Sequence, residues 1–223
     1  MKSELPPEED PPHQALFKAI AERDLAALDA LLADGESANA RREGGDTLLL
    51  AATQQRDGEV IALLLAAGAD PNLADPEGRR PVHVLFQNKN DRNRSTVLRA
   101  LVAAGADLDA IDASGTSALC LAAAFRDEPA ARRAVGLLLN SGARIRTGDG
   151  CAPVAEAHLD LVRWLVARGA DVNARSPYLE DDHGRQLASG LWQAARAGKV
   201  ERVALLLELG ADVTQRDSRF GLT

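Results

Sequence analysis

Six times along the chain an apolar run of helical period closes on a glycine and a short turn: LLADGES, LLLAAGADPN, LVAAGADLD, LLLNSGARI, LVARGADVN and LLLELGADV. The closing residues are Gly35, Gly68, Gly105, Gly142, Gly169 and Gly210, each where a helix needs a left-handed residue just past its end. Leucines recur before these glycines, at Leu28, Leu31 and Leu32, at Leu63 to Leu65, at Leu137 to Leu139 and at Leu205 to Leu207, and read as core stripes. After most glycines an extended stretch such as DPNLADPEG or DLDAIDASG leads into a new helix. Thr47, Ser117 and Ser189 are placed to accept its first free amides, and Pro81 and Pro153 suit a first helical position. The predicted unit is turn, short helix, loop, second helix, glycine.

Successive glycines lie 33, 37, 37, 27 and 41 residues apart, a period with insertions and a deletion. One pair of short amphipathic helices cannot bury its apolar face alone, so the units must stack on one another.

Several segments now carry a family likeness. The RPVH of Arg80 to His83 resembles the TPLH of the ankyrin repeat, GDTLLLAAT is similar to its GxTPLHxAA, and GADVNAR at Gly169 to Arg175 resembles its repeat ending. The resemblance covers about residues 13–223. It implies an all-α repeat solenoid of about six stacked antiparallel helix pairs, with β-hairpin fingers projecting at about a right angle and an elongated, concave protein-binding surface. Residues 1–12 are expected to be a disordered acidic, proline-rich tail. Residues 13–223 are then a single ankyrin-repeat domain, with repeats at approximately 13–44, 45–77, 78–114, 115–149, 150–186 and 187–219, and the start of a seventh at 220–223.

The departures from the period are specific. QALF replaces TPLH in repeat one, which suits an N-terminal cap. Repeats three and four each carry extra residues between their helices, in Gln87 to Arg94 and Ala124 to Pro129, and these loops should lie side by side. Repeat five leaves too little chain between Cys151 and His158 for a full inner helix. RSPYLEDDHGRQLASG, Arg175 to Gly190, enlarges the finger that follows. The closing DSRFGLT resembles the beginning of a seventh repeat without helices, which exposes the last face to solvent or a partner.

Charge and composition narrow the function. A formal charge of -7, from 33 acids and 26 bases, disfavours nucleic acid and suits a basic protein partner. Two cysteines provide neither a disulfide framework nor zinc-ligand spacing, so a reducing compartment is the default. Without a signal segment or an apolar run of about 18 residues, the protein is expected to be cytoplasmic, monomeric and away from membranes.

Catalytic and metal readings are outweighed. Cys151, His158 and Asp160 hold the elements of thiol catalysis, yet AHLDLVRWL resembles the family's ordinary outer-helix start, and no oxyanion-stabilising element is visible. Asp181, Asp182 and His183 could bind a cation, but consecutive residues rarely converge on one centre. The resemblance gives His83 a structural role; Trp164 and Trp192 read as core. No catalytic residue, cofactor or metal is assigned.

The partner-binding candidates are residues that the resemblance places on fingers and inner helices. They are Arg42, Glu43, Gln54, Gln55, Glu77, Arg79, Gln87, Asn88, Phe125, Tyr178, Glu180, Asp181, Asp182 and Arg196, with Asp46, Pro76, Ser114 and Thr116 beside them. The expected function is a non-enzymatic scaffold for protein–protein interaction. Its alternatives are an inhibitor or immunity-type protein for a basic partner, a thiol or metal-dependent enzyme, and a segment of a larger multidomain protein.

Overall fold

The computed structural model describes residues 12–87, 92–145, 157–181 and 184–215, with backbone alone for Pro12 and 176–187. Its elements follow the predicted alternation. The helices of repeats one to four are α1 (Pro12–Glu22) and α2 (Leu25–Ala33), α3 (Leu48–Gln55) and α4 (Gly58–Ala66), α5 (Pro81–Gln87) and α6 (Arg94–Ala103), and α7 (Ala118–Ala123) and α8 (Glu128–Asn140). After these come α9 (Leu159–Val166), the hairpin β1 (Arg175–Asp181) and β2 (Gly184–Ser189), and then α10 (Gly190–Arg196) and α11 (Val200–Glu208). The inner helices α1, α3, α5 and α7 pack in sequence, the outer helices α2, α4 and α6 do likewise, and each pair packs on itself.

Local chemistry sets the helix boundaries. Thr47, Ser117 and Ser189 accept hydrogen bonds from the amides of Leu50, Cys120 and Trp192, and Pro81 opens α5. All six closing glycines have φ between 85° and 104°, where a side chain would be strained. The proposed helix start at Pro153 and the shortened inner helix between Cys151 and His158 lie outside the described residues, as do residues 1–11.

A continuous core of Leu, Val, Ile and Ala runs through the stack from Leu16 to Leu206. Rows of polar bonds staple its two edges. On the finger side, Asn39 donates to the Gly68 carbonyl and accepts from the Asp70 amide, at 3.2 and 2.8 Å. Asn72 repeats the pattern with Gly105 and Asp107, at 3.0 and 2.8 Å, and Asn173 accepts from the Asp212 amide. At the corresponding place in repeat three stands Asp109, which accepts from both the amide and the guanidinium of Arg144.

On the opposite edge, where a loop joins inner to outer helix, Arg56 donates to the Leu85 carbonyl and Asn93 to the Arg56 carbonyl. The enlarged loops of repeats three and four meet through Arg94. Its guanidinium is buried between the rings of Phe86 and Phe125, 5.5 and 5.1 Å from their centroids.

Phe125, expected as an exposed binding residue of an inner helix, is instead 4% exposed and sits in the loop between α7 and α8. Burial under Arg94 and a hydrogen bond from His158 Nε2 to its carbonyl make it part of the stack. The cysteine reading also changes. Cys120 on α7 is disulfide-bonded, contrary to the expectation of reduced thiols, and the chain's other cysteine, Cys151, lies outside the described residues. Both tryptophans are half-buried under arginines rather than fully in the core, with Arg168 3.7 Å above Trp164 and Arg196 5.4 Å above Trp192.

Candidate protein-binding face

The fingers project from a rigid base. Those of repeats two and four close with single antiparallel bridges, Arg41 to Thr47 and Ile111 to Ser117. Neighbouring fingers are locked together: the Arg41 guanidinium donates to the carbonyls of Gly45 and Ala74, and the Ala113 amide donates to the Glu77 carbonyl. Gly78 explains how closely they pass, since a Cβ there would meet the Ala113 nitrogen at 2.7 Å.

The finger entering repeat six is different in kind. Strands β1 and β2 pair from Arg175 with Ser189 to Asp181 with Gly184, and the register shifts between Pro177 and Leu179. Tyr178 stands at that irregularity. Glu180 and Asp181 lie near the tip, opposite Arg185 and Gly184, and Asp182 and His183 lie outside the described residues. Backbone pairing thus accounts for this stretch as a long hairpin. Among the described residues no group of three or more His, Cys, Asp or Glu could hold a metal ion.

Of the other sequence candidates, Arg42, Glu43, Gln54, Gln55, Glu77, Gln87 and Arg196 are exposed, and Asn88 lies outside the described residues. Arg42 pairs with Asp46 and reaches to 5.8 Å from the Phe17 ring. Arg79 is only half-exposed. Its backbone amide and Nε both donate to the buried Asp75 carboxylate, at 2.8 and 2.6 Å, and its guanidinium also meets Glu77. That hydrogen bond, outweighing burial, raises its pKa further, so this arginine braces its finger. Ser114 and Thr116 bond each other and Asp112, which holds the tip of the third finger.

His83 is fully buried, its Nδ1 accepting from the Arg80 amide at 3.1 Å and its Nε2 donating to the Ala110 carbonyl at 3.1 Å. Burial pushes its pKa below the ordinary histidine value, as befits a neutral strut between repeats.

Sequence reasoning missed a groove of about 650 Å³ on the edge opposite the fingers, lined by Arg23, Gln55, Asp57, Glu59, Arg92 and Thr96. Asp57, the N-cap of α4, pairs there with Arg23. Burial alone would raise its carboxyl, but the bonds from Arg23 and the Val60 and Glu59 amides together hold it below the usual range. The arginines that follow both the first and second inner helices, Arg23 and Arg56, were the available signal, each with φ near 58°.

Comparison with known proteins agrees with this architecture. The three-copy ankyrin repeat family model matches residues 16–112 and 48–149, and the single-repeat model matches 151–177 and 189–218. The solved ankyrin repeat domain of Bcl-3, described as a unique member of the IkappaB protein family, superposes with a TM-score of 0.68 at 28% identity, covering 91% of this chain and 89% of that one. Among curated relatives, Rabankyrin-5 of Mus musculus is 30% identical over 82% of this chain, and the B-cell lymphoma 3 protein homolog of Mus musculus is 28% identical over 69%. The mitochondrial disaggregase of Bos taurus is 34% identical over 39% of the chain. The alignments span 15%, 33% and 14% of these relatives' own lengths. Ankyrin repeats are protein–protein interaction modules and typically a non-enzymatic scaffold, though the relatives include a disaggregase and a palmitoyltransferase as multidomain proteins. No helix among the described residues is long and apolar enough to cross a membrane. The stacked helix pairs, the stapled fingers and the family matches over most of the sequence lead to one conclusion: the chain belongs to the ankyrin repeat family.

Proposed function

We propose that this chain is a non-enzymatic scaffold that grips a basic protein through its fingers and the concave groove formed by its inner helices. The observation that carries the reading is the contrast between a fixed base and a free display. The finger backbones are tied to one another, while Glu43 and Glu77 stand exposed on the fingers and Gln54 and Gln87 at the far ends of α3 and α5. A surface already fixed in its bound shape loses little conformational freedom on association. The acids Glu43, Glu77, Glu180 and Asp181, in a chain of net charge -7, favour a cationic partner and speed its encounter. If that partner's own working surface lies in the contact, the protein acts as its inhibitor.

Affinity purification from the native cell with quantitative mass spectrometry tests the reading. Glu43→Lys combined with Glu77→Lys should remove a basic partner that the unaltered chain retains, with the melting temperature unchanged. Retention of every partner by that variant and by one with Glu180 and Asp181 also replaced by lysine would overturn it.

A further inference from the structure

Cys120 holds in repeat four the place that His83 holds in repeat three, each the third residue of its inner helix. His83 uses that place to reach forward, its Nε2 donating to the Ala110 carbonyl in the next finger, 27 residues on. Cys120 is instead disulfide-bonded. The chain has two cysteines, so the bond runs to Cys151, 31 residues on, in the same forward direction from repeat four into repeat five. The junction it crosses departs from the others in two ways. The glycines closing repeats four and five are 27 residues apart, against 33 between Gly35 and Gly68, so repeat five has less chain with which to stack. The staple is changed as well. Four residues after their closing glycines stand Asn39, Asn72, Asp109 and Asn173, each accepting an amide hydrogen bond from the next repeat. After Gly142 that residue is Arg146, and a guanidinium has no acceptor to offer. Away from the fingers α8 packs on α9, and His158 bonds the Phe125 carbonyl at 2.8 Å.

We propose that the Cys120 disulfide is a redox-operated latch between repeats four and five. Closed, it holds repeats five and six, with the long hairpin finger, on the stack. Opened, it lets them loosen together while repeats one to four stay folded. Each repeat of a solenoid is stabilised by its immediate neighbours, so weakening one junction is felt beyond that junction and little before it. Breaking the bond also returns conformational freedom to the unfolded form of the chain it closes. Cys120 is only half-buried, which leaves the bond open to a small thiol. The reductant is a dithiol. Its thiolate attacks one sulfur of the bond, forming a mixed disulfide and releasing one cysteine thiolate, which takes up a proton. The second thiol of the reductant then displaces the other cysteine. The protein gains two electrons and two protons, and the dithiol leaves as a disulfide.

Hydrogen–deuterium exchange of the full chain, purified without reductant and then treated with dithiothreitol under native conditions, tests the latch. Alkylation read by mass should find both thiols blocked before treatment and both free after it. Backbone exchange in α9, α10 and α11 should then quicken about tenfold or more, with α3 to α6 unchanged. Cys120→Ser combined with Cys151→Ser should show the fast pattern with or without dithiothreitol. The reductant experiment uses the unaltered chain, so it decides even where the double variant fails to fold. Thiols already free before treatment would overturn the proposal, as would a bond that resists dithiothreitol in the folded protein. So would exchange that rises evenly along the chain or stays as it was. Neither cysteine enters the finger variants, so the two proposals fail separately.

Discussion

Leu98 and Val203 hold the same place in the outer helices of repeats three and six, yet one is fully buried and the other half-buried. Their helices are comparably short and their glycine turns alike. The difference lies in the neighbour: Leu98 has a further repeat stacked over it, and Val203 lies in an open groove. In a solenoid, position along the stack therefore decides whether a given apolar residue supplies stability or surface.

The sharpest way to break this comparison is to empty both positions. Leu98→Ala should cost about 3 kcal/mol, the loss of a buried side chain plus the cavity left behind. Val203→Ala should cost about 1 kcal/mol or less, because part of that side chain is already in contact with solvent. Urea unfolding of the two variants, each measured against the parent, checks the ratio. Equal costs would mean that the C-terminal face is covered in solution.

Much of this architecture was legible because a repeat states its pattern several times. The glycine positions and the Ser and Thr caps depend on local geometry, and the enlarged finger followed from counting residues against the period; the leucine stripes held in part, since Leu28, Leu64, Leu138, Leu205 and Leu206 are buried while Leu207, read as core, is 44% exposed. Contacts between repeats were harder. That Arg94 would lie buried between Phe86 and Phe125 could not be read from spacing, since it requires two irregular loops to converge. Phe125 was accordingly misplaced on the surface. The pairing of Arg79 with Asp75 was hidden for a similar reason: an arginine on a finger reads as free until the carboxylate beneath it is seen.

A smaller effect separates the regions by pH. His83 ties α5 to the next finger through Ala110, while the place it occupies is filled by Trp192 in repeat six. Its pKa is lowered by burial, so the unfolded chain takes up a proton at higher pH than the folded one. The stabilising contribution is present above the unfolded value, about 6.5, and is lost as pH falls from there toward the lower folded value. Protonation of Nδ1 would also remove the acceptor for the Arg80 amide. His83→Gln should therefore flatten the slope of unfolding free energy against pH just below about 6.5, at a cost of about 1–2 kcal/mol at neutral pH. A slope unchanged by the substitution would place the proton elsewhere.

The smallest effect belongs to the ion pair linking the last two outer helices. Arg163 clasps Glu208 with both terminal nitrogens, at 2.7 and 3.0 Å, and the hydrogen bond holds the carboxyl below its usual range. Any contribution is present above the ordinary glutamate value and lost as pH falls through the lower folded one. Geometry alone would suggest a strong link, but both side chains are at least half exposed, so water and salt screen the attraction and ordering two long side chains offsets it. Asp57 shows the contrast, since its buried carboxylate caps α4 as well as pairing with Arg23. Glu208→Gln should leave the thermal midpoint unchanged at physiological salt. A drop of several degrees would instead show that the junction between repeats five and six depends on this pair, in place of the two-sided stapling that Asn72 provides further up the stack.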